Sequence, residues 1–187
     1  MILDIFLGAL IAKLASIYFS VPLTSSVIIA GVIFVLLPDI DLLKIFFQKE
    51  GRDASQDFTH RDIFHYPLPY LILGTALVWF LGSPLWASIF FFASLLHFLH
   101  DSIGIGWGVK WLYPFSKNSF AFLYHYEAQR NNLPKKIIYI WSPEEVERLS
   151  RNGDKNWVKN IYFSFHPYSV AEHVITLIIA TLLLFEM

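Results

Sequence analysis

Long apolar segments separated by short polar turns dominate the hydropathy pattern of this chain. The five segments lie at about residues 2–20 and 21–37, two within 66–96, and 168–187. Gly82-Ser83-Pro84 divides the uncharged stretch 66–96 into two helices, because Gly and Pro interrupt helices. A helix that crosses a bilayer needs about 20 apolar residues. The pattern therefore predicts an all-α, multi-pass membrane protein with about five membrane helices, although Asp4 and Lys13 interrupt the apolar character of the first. The alternative is a soluble protein in which these helices are buried.

The basic residues of the loops lie on one side of this predicted path. Four lie between the second and third helices (Lys44, Lys49, Arg52, Arg61) and nine between the fourth and fifth (Lys110, Lys117, Arg130, Lys135, Lys136, Arg148, Arg151, Lys155, Lys159). The other two turns carry none. In an alternating path both basic loops face the same side, which the positive-inside rule makes cytoplasmic. We expect the N-terminus inside and the C-terminus outside.

Composition supports the membrane prediction and restricts the chemistry. The chain is 56% hydrophobic and 16% charged, whereas soluble domains carry about 25% charged residues. Its net charge of -1 gives no reason to expect a nucleic-acid partner. It contains no cysteine, so a metal ion would be held by His, Asp, Glu, backbone or water. Its 187 residues fit a single domain, residues 1–187.

The only sizeable extramembrane part of this prediction is the aromatic-rich segment 104–167. Its Trp, Tyr and Phe residues are typical of a layer at the membrane interface. Ser142-Pro143-Glu144-Glu145 predicts the start of a helix, with Ser142 as the cap and Glu145 completing a capping box. Residues 135–141 suit either a short strand or a segment lying on the surface.

Two short polar motifs flank the second and third helices. Asp39 and Asp41 follow a helix end, and both carboxylates can reach one cation or bridge two; a polar helix end facing water is the alternative. His60 and His65 lie five residues apart, which suits a loop better than one helical face. Neutral imidazole is a common zinc ligand, and Arg61 offers a bidentate fork for phosphate oxygens. A polar loop with incidental histidines is the alternative here.

The third motif, at the end of the fourth helix, is the strongest metal candidate. His97 and Asp101 are four residues apart and share one helix face, while His100 points nearby. Ionisable residues at the end of a membrane helix are costly and are functional candidates by default. A hydrogen-bonded histidine pair is the alternative. In the predicted topology all three motifs meet at the cytoplasmic face, where His and Asp ligands suit zinc or manganese.

The order and spacing of these motifs resemble a known family. The motifs are LPDID at residues 37–41, HR…H at 60–65, HxxxD at 97–101 and GVKWLYPFS at 108–116. Together they resemble the YdjM (DUF457) family of inner-membrane-associated, metal-dependent hydrolase-like proteins, also described as LexA-binding. That family is distantly similar to zinc-dependent phospholipase C and P1 nuclease. The resemblance covers about residues 37–116.

The family motifs map onto particular residues of this chain. Asp39 and Asp41 match the paired aspartates, His60, Arg61 and His65 match an HRGxTHS motif, and His97 and Asp101 match HxxxD. The motif's Gly, Thr and Ser are Asp62, Phe64 and Tyr66 here. No histidine precedes His60, whereas the family often has one in its first helix; the extra His100 is a candidate replacement.

The resemblance implies a membrane-bound, metal-dependent hydrolase of phosphoester bonds, with phospholipid or lipid-linked substrates and membrane lipids as partners. One or more zinc ions would activate water, and Arg61 would stabilise charge on the phosphoryl oxygens. Asp39 or Asp101 would accept the proton. A catalytically inactive membrane adaptor and a metal sensor or transporter are the alternatives. Ligands at helix ends, away from the bilayer midplane, disfavour a transporter.

Overall fold

The computed structural model describes residues 2–41, 64–151, 153–154 and 156–185, with the backbone alone at Asp41. Within these residues the chain forms two compact units. The helical unit comprises Met1–Pro38, Leu71–His97 and Asn156–Met187, and the mixed unit comprises Asp39–Tyr70 and Phe98–Lys155.

Helices provide most of the described structure. They are α1 (Ile2–Tyr18), α2 (Ser25–Leu36), α3 (Pro67–Leu81), α4 (Pro84–Asp101), α5 (Tyr126–Arg130), α6 (Pro143–Arg151), α7 (Trp157–Tyr162) and α8 (Pro167–Leu184). A 3-10 helix, Leu37–Asp41, continues α2. Thr24 caps α2, since its side chain accepts a hydrogen bond from the Val27 backbone amide.

The helical unit packs α1 against α2 at unusually short range. A Cβ atom built on Gly8 would lie 2.5 Å from the carbonyl oxygen of Gly31. Small residues allow two helix backbones to approach closely in this way. Next to this contact, Ala12, Val27 and Ile89 form a buried apolar cluster. The glycine pair therefore determines how closely the first two helices pack.

The charge of Lys13 is buried in the same unit. Its side chain is 6% exposed, and its Nζ donates a hydrogen bond of 2.8 Å to the carbonyl oxygen of Leu182. Leu182 lies in the last turn of α8, where carbonyl groups lack an intrahelical donor and carry the negative end of the helix dipole. Lys13 therefore links α1 to the C-terminal turn of α8.

The prediction of about five membrane-spanning helices is wrong. Among the described residues, one helix, α8, is long and apolar enough to cross a membrane. α2 has 12 residues and α3 has 15, fewer than the roughly 17–25 that a crossing requires. The apolar stretches in the sequence are longer than the helices because they also include turn and 3-10 residues. The predicted sidedness of the termini assumed five crossings and loses its basis.

The mixed unit contains a three-stranded sheet, so the all-α prediction is also wrong. Its strands are β1 (Ile103–Gly104), β2 (Ser119–His125) and β3 (Ile138–Trp141). β1 pairs parallel with β2, and β2 pairs antiparallel with β3 in the order β1-β2-β3. Ala121, Tyr139 and Trp141 bury one face of the sheet against Ala128 and Leu149. Gly108, at φ +72°, lies so close to Phe120 that a side chain there would collide with its carbonyl oxygen.

Two local predictions for this unit are settled by the structure. Of the two alternatives for residues 135–141, the strand is correct, since β3 occupies Ile138–Trp141. The capping box that starts α6 is confirmed. The Ser142 amide donates to Glu145 Oε2 at 2.8 Å, and the Glu145 amide donates to Ser142 Oγ at 3.3 Å.

We expect Gly8→Val to destabilise the helical unit. The new side chain would meet the Gly31 backbone, and overpacking of this kind costs about 1–3 kcal/mol. Thermal unfolding in detergent, followed by circular dichroism, measures the loss. Leu14→Val on the same helix is the control, because Leu14 is 51% exposed. Equal melting temperatures for the two variants would show that α1 and α2 do not pack at this contact.

Candidate metal centre

Three polar side chains of the mixed unit converge where helices begin or end. Asp39 lies in the 3-10 helix that follows α2, and Asp101 is the last residue of α4. His65 lies two residues before α3 begins at Pro67. His65 Nε2 is 3.3 Å from Asp39 Oδ1 and 3.5 Å from Asp101 Oδ2. Two carboxylates therefore face one nitrogen of a single imidazole.

A fourth residue joins them through the geometry of α4. His97 lies one turn before Asp101, and residues four apart share a helix face. Possible ligand atoms of Asp39, His65, His97 and Asp101 all lie within 4.8 Å of one another. The two imidazoles are buried, whereas the side chains of Asp39 and Asp101 are 20% and 18% exposed. The group is therefore closed on its histidine side and open at its carboxylates.

The spacing and the donor types fit a divalent metal. Zinc binds His nitrogen and carboxylate oxygen at roughly 2.0–2.2 Å, which places ligand atoms of a tetrahedral site about 3.4 Å apart. The two distances from His65 Nε2, 3.3 and 3.5 Å, match that separation. A ligand set made only of imidazoles and carboxylates suits zinc or manganese better than it suits metals that prefer thiolate ligands. The residues present therefore fit the metal that the sequence predicts.

Aromatic side chains surround the histidine side of the group. The fully buried Phe98 ring meets the His65 ring edge-on at a centroid distance of 6.2 Å. Phe98 also contacts Trp111, whose indole nitrogen donates to Ser102 Oγ at 2.8 Å. Tyr113 stacks on Tyr66, the neighbour of His65, at 3.9 Å. The GVKWLYPFS segment thus helps to form an apolar wall, which strengthens electrostatic interactions inside the site.

Sequence reasoning missed Asp4. Its carboxylate is buried in α1, and its Oδ1 lies 4.0 Å from His97 Nδ1. Carboxylates behind a ligand histidine orient the ring and raise its basicity. The signal that could have identified Asp4 is the high cost of a charge within an apolar helix, which makes such a residue a functional candidate and not only a flaw in the helix.

Four other residues were predicted from the sequence to belong to the site: Asp41, His60, Arg61 and His100. His60 and Arg61 lie outside the described residues, and only the backbone of Asp41 is described. His100 does not belong to the group of four. At about 100° per residue, His100 projects about 100° away from Asp101 around the helix axis. His97 and Asp101 differ by only about 40°.

The other described histidines bond to nearby backbone. His125 Nδ1 accepts a hydrogen bond from the Ala128 amide at 3.0 Å, and His166 Nδ1 accepts one from the Tyr168 amide at 3.3 Å. His173 Nδ1 lies 2.6 Å from the carbonyl oxygen of Ser169. Each of these three side chains therefore has a nearby backbone partner.

Comparison with known proteins identifies the family. The family model of the YdjM inner membrane protein matches residues 4–184. The chain is 35% identical over 95 residues to Inner membrane protein YbcI of Escherichia coli (strain K12), covering 49% of this chain and 55% of that relative. The chain thus spans about half the length of the curated relative it matches. No solved structure matches it.

The family match covers nearly the whole chain, so the chain belongs to the YdjM inner membrane protein family. The resemblance inferred from LPDID, HR…H and HxxxD is confirmed. Both family names support a membrane location. The more distant similarity to zinc-dependent phospholipase C stays a prediction.

We expect His65→Ala and Asp101→Ala each to lower zinc affinity by about 100-fold or more, because loss of a direct ligand exceeds the 10- to 100-fold effect of removing an outer partner. Competition with a zinc-chelating dye measures the affinity. Asp4→Asn should give an intermediate loss, of about 10- to 100-fold, if it orients His97.

His100→Ala is the matched control for these variants. It removes an imidazole from the same turn of α4 but from outside the group, and should leave zinc affinity unchanged. A protonated His65 held between Asp39 and Asp101 would give similar distances without any metal. A wild type that binds no zinc would favour that interpretation. Stoichiometric zinc retained in both ligand variants would place the zinc at another site, and either result would contradict the metal centre.

A second prediction concerns His125, which is 1% exposed. Burial lowers the pKa of His125 from 6.5 to about 4, although the nearby backbone of Gly106 opposes the shift. Between these values the unfolded chain binds a proton that the folded chain does not. Stability therefore falls as pH drops from 6.5 towards 4.

The loss at pH 5 should be roughly 2 kcal/mol relative to pH 7. Chemical unfolding in detergent at both pH values measures it. His125→Asn keeps a capping side chain but does not titrate in this range, so its stability should change less. Parallel pH profiles for the wild type and His125→Asn would contradict the assignment.

Proposed function

We propose that this member of the YdjM inner membrane protein family is a metal-dependent hydrolase of phosphoester bonds. The observation that carries the proposal is the group of Asp39, His65, His97 and Asp101, whose ligand atoms lie within 4.8 Å of one another. Zinc is the proposed metal because the donors are imidazole and carboxylate.

The chemistry follows from the donor set. When bound, zinc supplies a water with a pKa lowered to about 7 and positive charge for the phosphoryl oxygens. His65 and His97, both buried, would hold the metal from the enclosed side of the site. Asp39 or Asp101, each partly exposed, is placed to accept a proton where it is not fully engaged as a ligand.

The uneven exposure of the four residues indicates the direction of substrate approach. His65 and His97 are closed off, whereas Asp39 and Asp101 retain accessible surface. A phosphoester would therefore approach from the carboxylate side. Two carboxylates repel an anionic substrate, so the positive charge of the metal is needed there. A phosphate monoester carries two negative charges and is repelled more strongly than a phosphodiester, which carries one. A phosphodiester therefore suits the site better than a monoester.

Basic residues are proposed to complete the site. Arg61 is proposed from the sequence to bind phosphoryl oxygens, because guanidinium presents a planar fork that matches them and cannot bind a cation. Among the described residues, Lys110 is a second nearby cation. Its Nζ lies 5.6 Å from the ring centre of Tyr66, the residue after His65.

A lipid-linked substrate is favoured by the membrane location. The family names indicate the inner membrane, and α8 is long and apolar enough to cross one. A site held at such a membrane meets phospholipids and lipid-linked phosphodiesters at high local concentration. We therefore propose these substrates ahead of soluble phosphoesters.

The proposal predicts metal-dependent phosphodiesterase activity of the purified, zinc-loaded protein. Bis(p-nitrophenyl) phosphate and p-nitrophenyl phosphorylcholine are the first substrates. Chelation should lower turnover by at least about 100-fold, because the metal contributes several kcal/mol to transition-state stabilisation. Re-addition of zinc should restore it.

Variants separate this activity from a contaminant. His65→Ala should be as inactive as the chelated protein, whereas His173→Ala, outside the group, should keep full activity. Bound zinc with no turnover on any phosphodiester would favour a sensor. Neither zinc nor turnover would favour the inactive adaptor.

A further inference from the structure

The sheet of the mixed unit has two largely apolar faces. The protein buries one and covers the other only in part, where Trp111 lies against Phe122. On the inner face, Ser119, Ala121, Tyr139 and Trp141 are buried. The register pairs Phe120 with Ile140 and Phe122 with Ile138 on the opposite face. There Ile138 and Ile140 are 50% and 54% exposed. An antiparallel sheet with one open face normally carries polar residues on it.

Phe120 and Phe122 are only partly buried, and two more exposed apolar residues lie next to the ends of the paired strands. Leu123 and Ile137, joined by a backbone hydrogen bond of 2.7 Å, are 65% and 74% exposed. We use the term outer sheet face for Phe120, Phe122, Ile138 and Ile140. Single exposed apolar residues are common, but a contiguous apolar patch marks an interaction site.

The segment that carries the sheet is rich in basic residues as far as the end of β3, and Glu144 and Glu145 follow at the start of α6. Residues 102–143 contain five basic residues, Lys110, Lys117, Arg130, Lys135 and Lys136, and one acidic residue, Glu127. Glu127 is buried and pairs with Arg130 at 3.2 Å. Lys135 and Lys136 are exposed and directly precede Ile137. The start of β3, next to the outer sheet face, therefore carries positive charge.

We propose that the outer sheet face docks on the surface of an anionic phospholipid bilayer. Apolar side chains would enter the boundary between headgroups and acyl chains, while Lys135 and Lys136 contact lipid phosphates. A second copy of the chain is a poorer occupant. A symmetric dimer through this face would bring two sets of lysines together, and like charges at an interface are unfavourable.

The absence of cysteine allows a direct test on the full chain. Ile140→Cys, labelled with an environment-sensitive nitrobenzoxadiazole dye, is reconstituted into phosphatidylcholine vesicles with and without phosphatidylglycerol. Lipids carrying a nitroxide near the headgroup should quench this dye strongly, and aqueous iodide should quench it weakly. Ile138→Cys is a second probe of the same face. Glu147→Cys on α6 is the exposed control, expected to show the reverse order.

Charge removal tests the choice of lipid. Lys135→Gln with Lys136→Gln, in the Ile140→Cys background, should weaken docking by about fivefold for each lysine in anionic vesicles. Iodide quenching of the face equal to that of the Glu147 control, or energy transfer between labelled copies without lipid quenching, would overturn the proposal. The first outcome places the face in water, and the second places it against another copy.

Discussion

A buried imidazole facing two carboxylates is the interaction on which the candidate site depends. Removing charged groups from water is costly unless opposite charge compensates them. Around His65, the carboxylates of Asp39 and Asp101 lie at 3.3 and 3.5 Å, with aromatic rings behind. A divalent cation at this point would balance both carboxylates while the imidazoles stay neutral. The same electrostatic balance explains why the acidic residues stay partly exposed while the histidines are enclosed.

In the helical unit, buried charged side chains also lie next to groups of opposite polarity. Lys13 donates to a carbonyl at the C-terminal end of α8, and Asp4 lies 4.0 Å from His97. Each charge on α1 thus faces a group of complementary polarity. Neither residue is a defect in an apolar helix. Lys13 links two helices, and Asp4 approaches the ligand histidine on α4, so the first helix contributes to both stability and the candidate chemistry.

The mixed unit combines a well-packed apolar core with an apolar surface that is partly exposed. Tyr139 and Trp141 fill the inner face, while Ile138 and Ile140 alternate with them towards the outside. In β3, buried and exposed residues alternate, and all four are apolar, which is the pattern of a strand between two apolar environments. One environment is the core, and the other is the proposed lipid surface. The proposed metal chemistry and the proposed lipid contact therefore rest on different residues and can be tested separately.

The sequence by itself determined the local features. Ser142 and Glu145 specified a helix start through their spacing alone, and the period of one helix placed His97 and Asp101 together. The order and spacing of LPDID, HR…H, HxxxD and GVKWLYPFS together were sufficient to identify the family. Only the tertiary structure decided how long the apolar helices are and which distant residues meet. Strand β2 was hidden because its aromatic residues suit an interface as well as a sheet. Asp4 and His97 lie far apart in the chain, and such pairings depend on helix packing that no local pattern encodes.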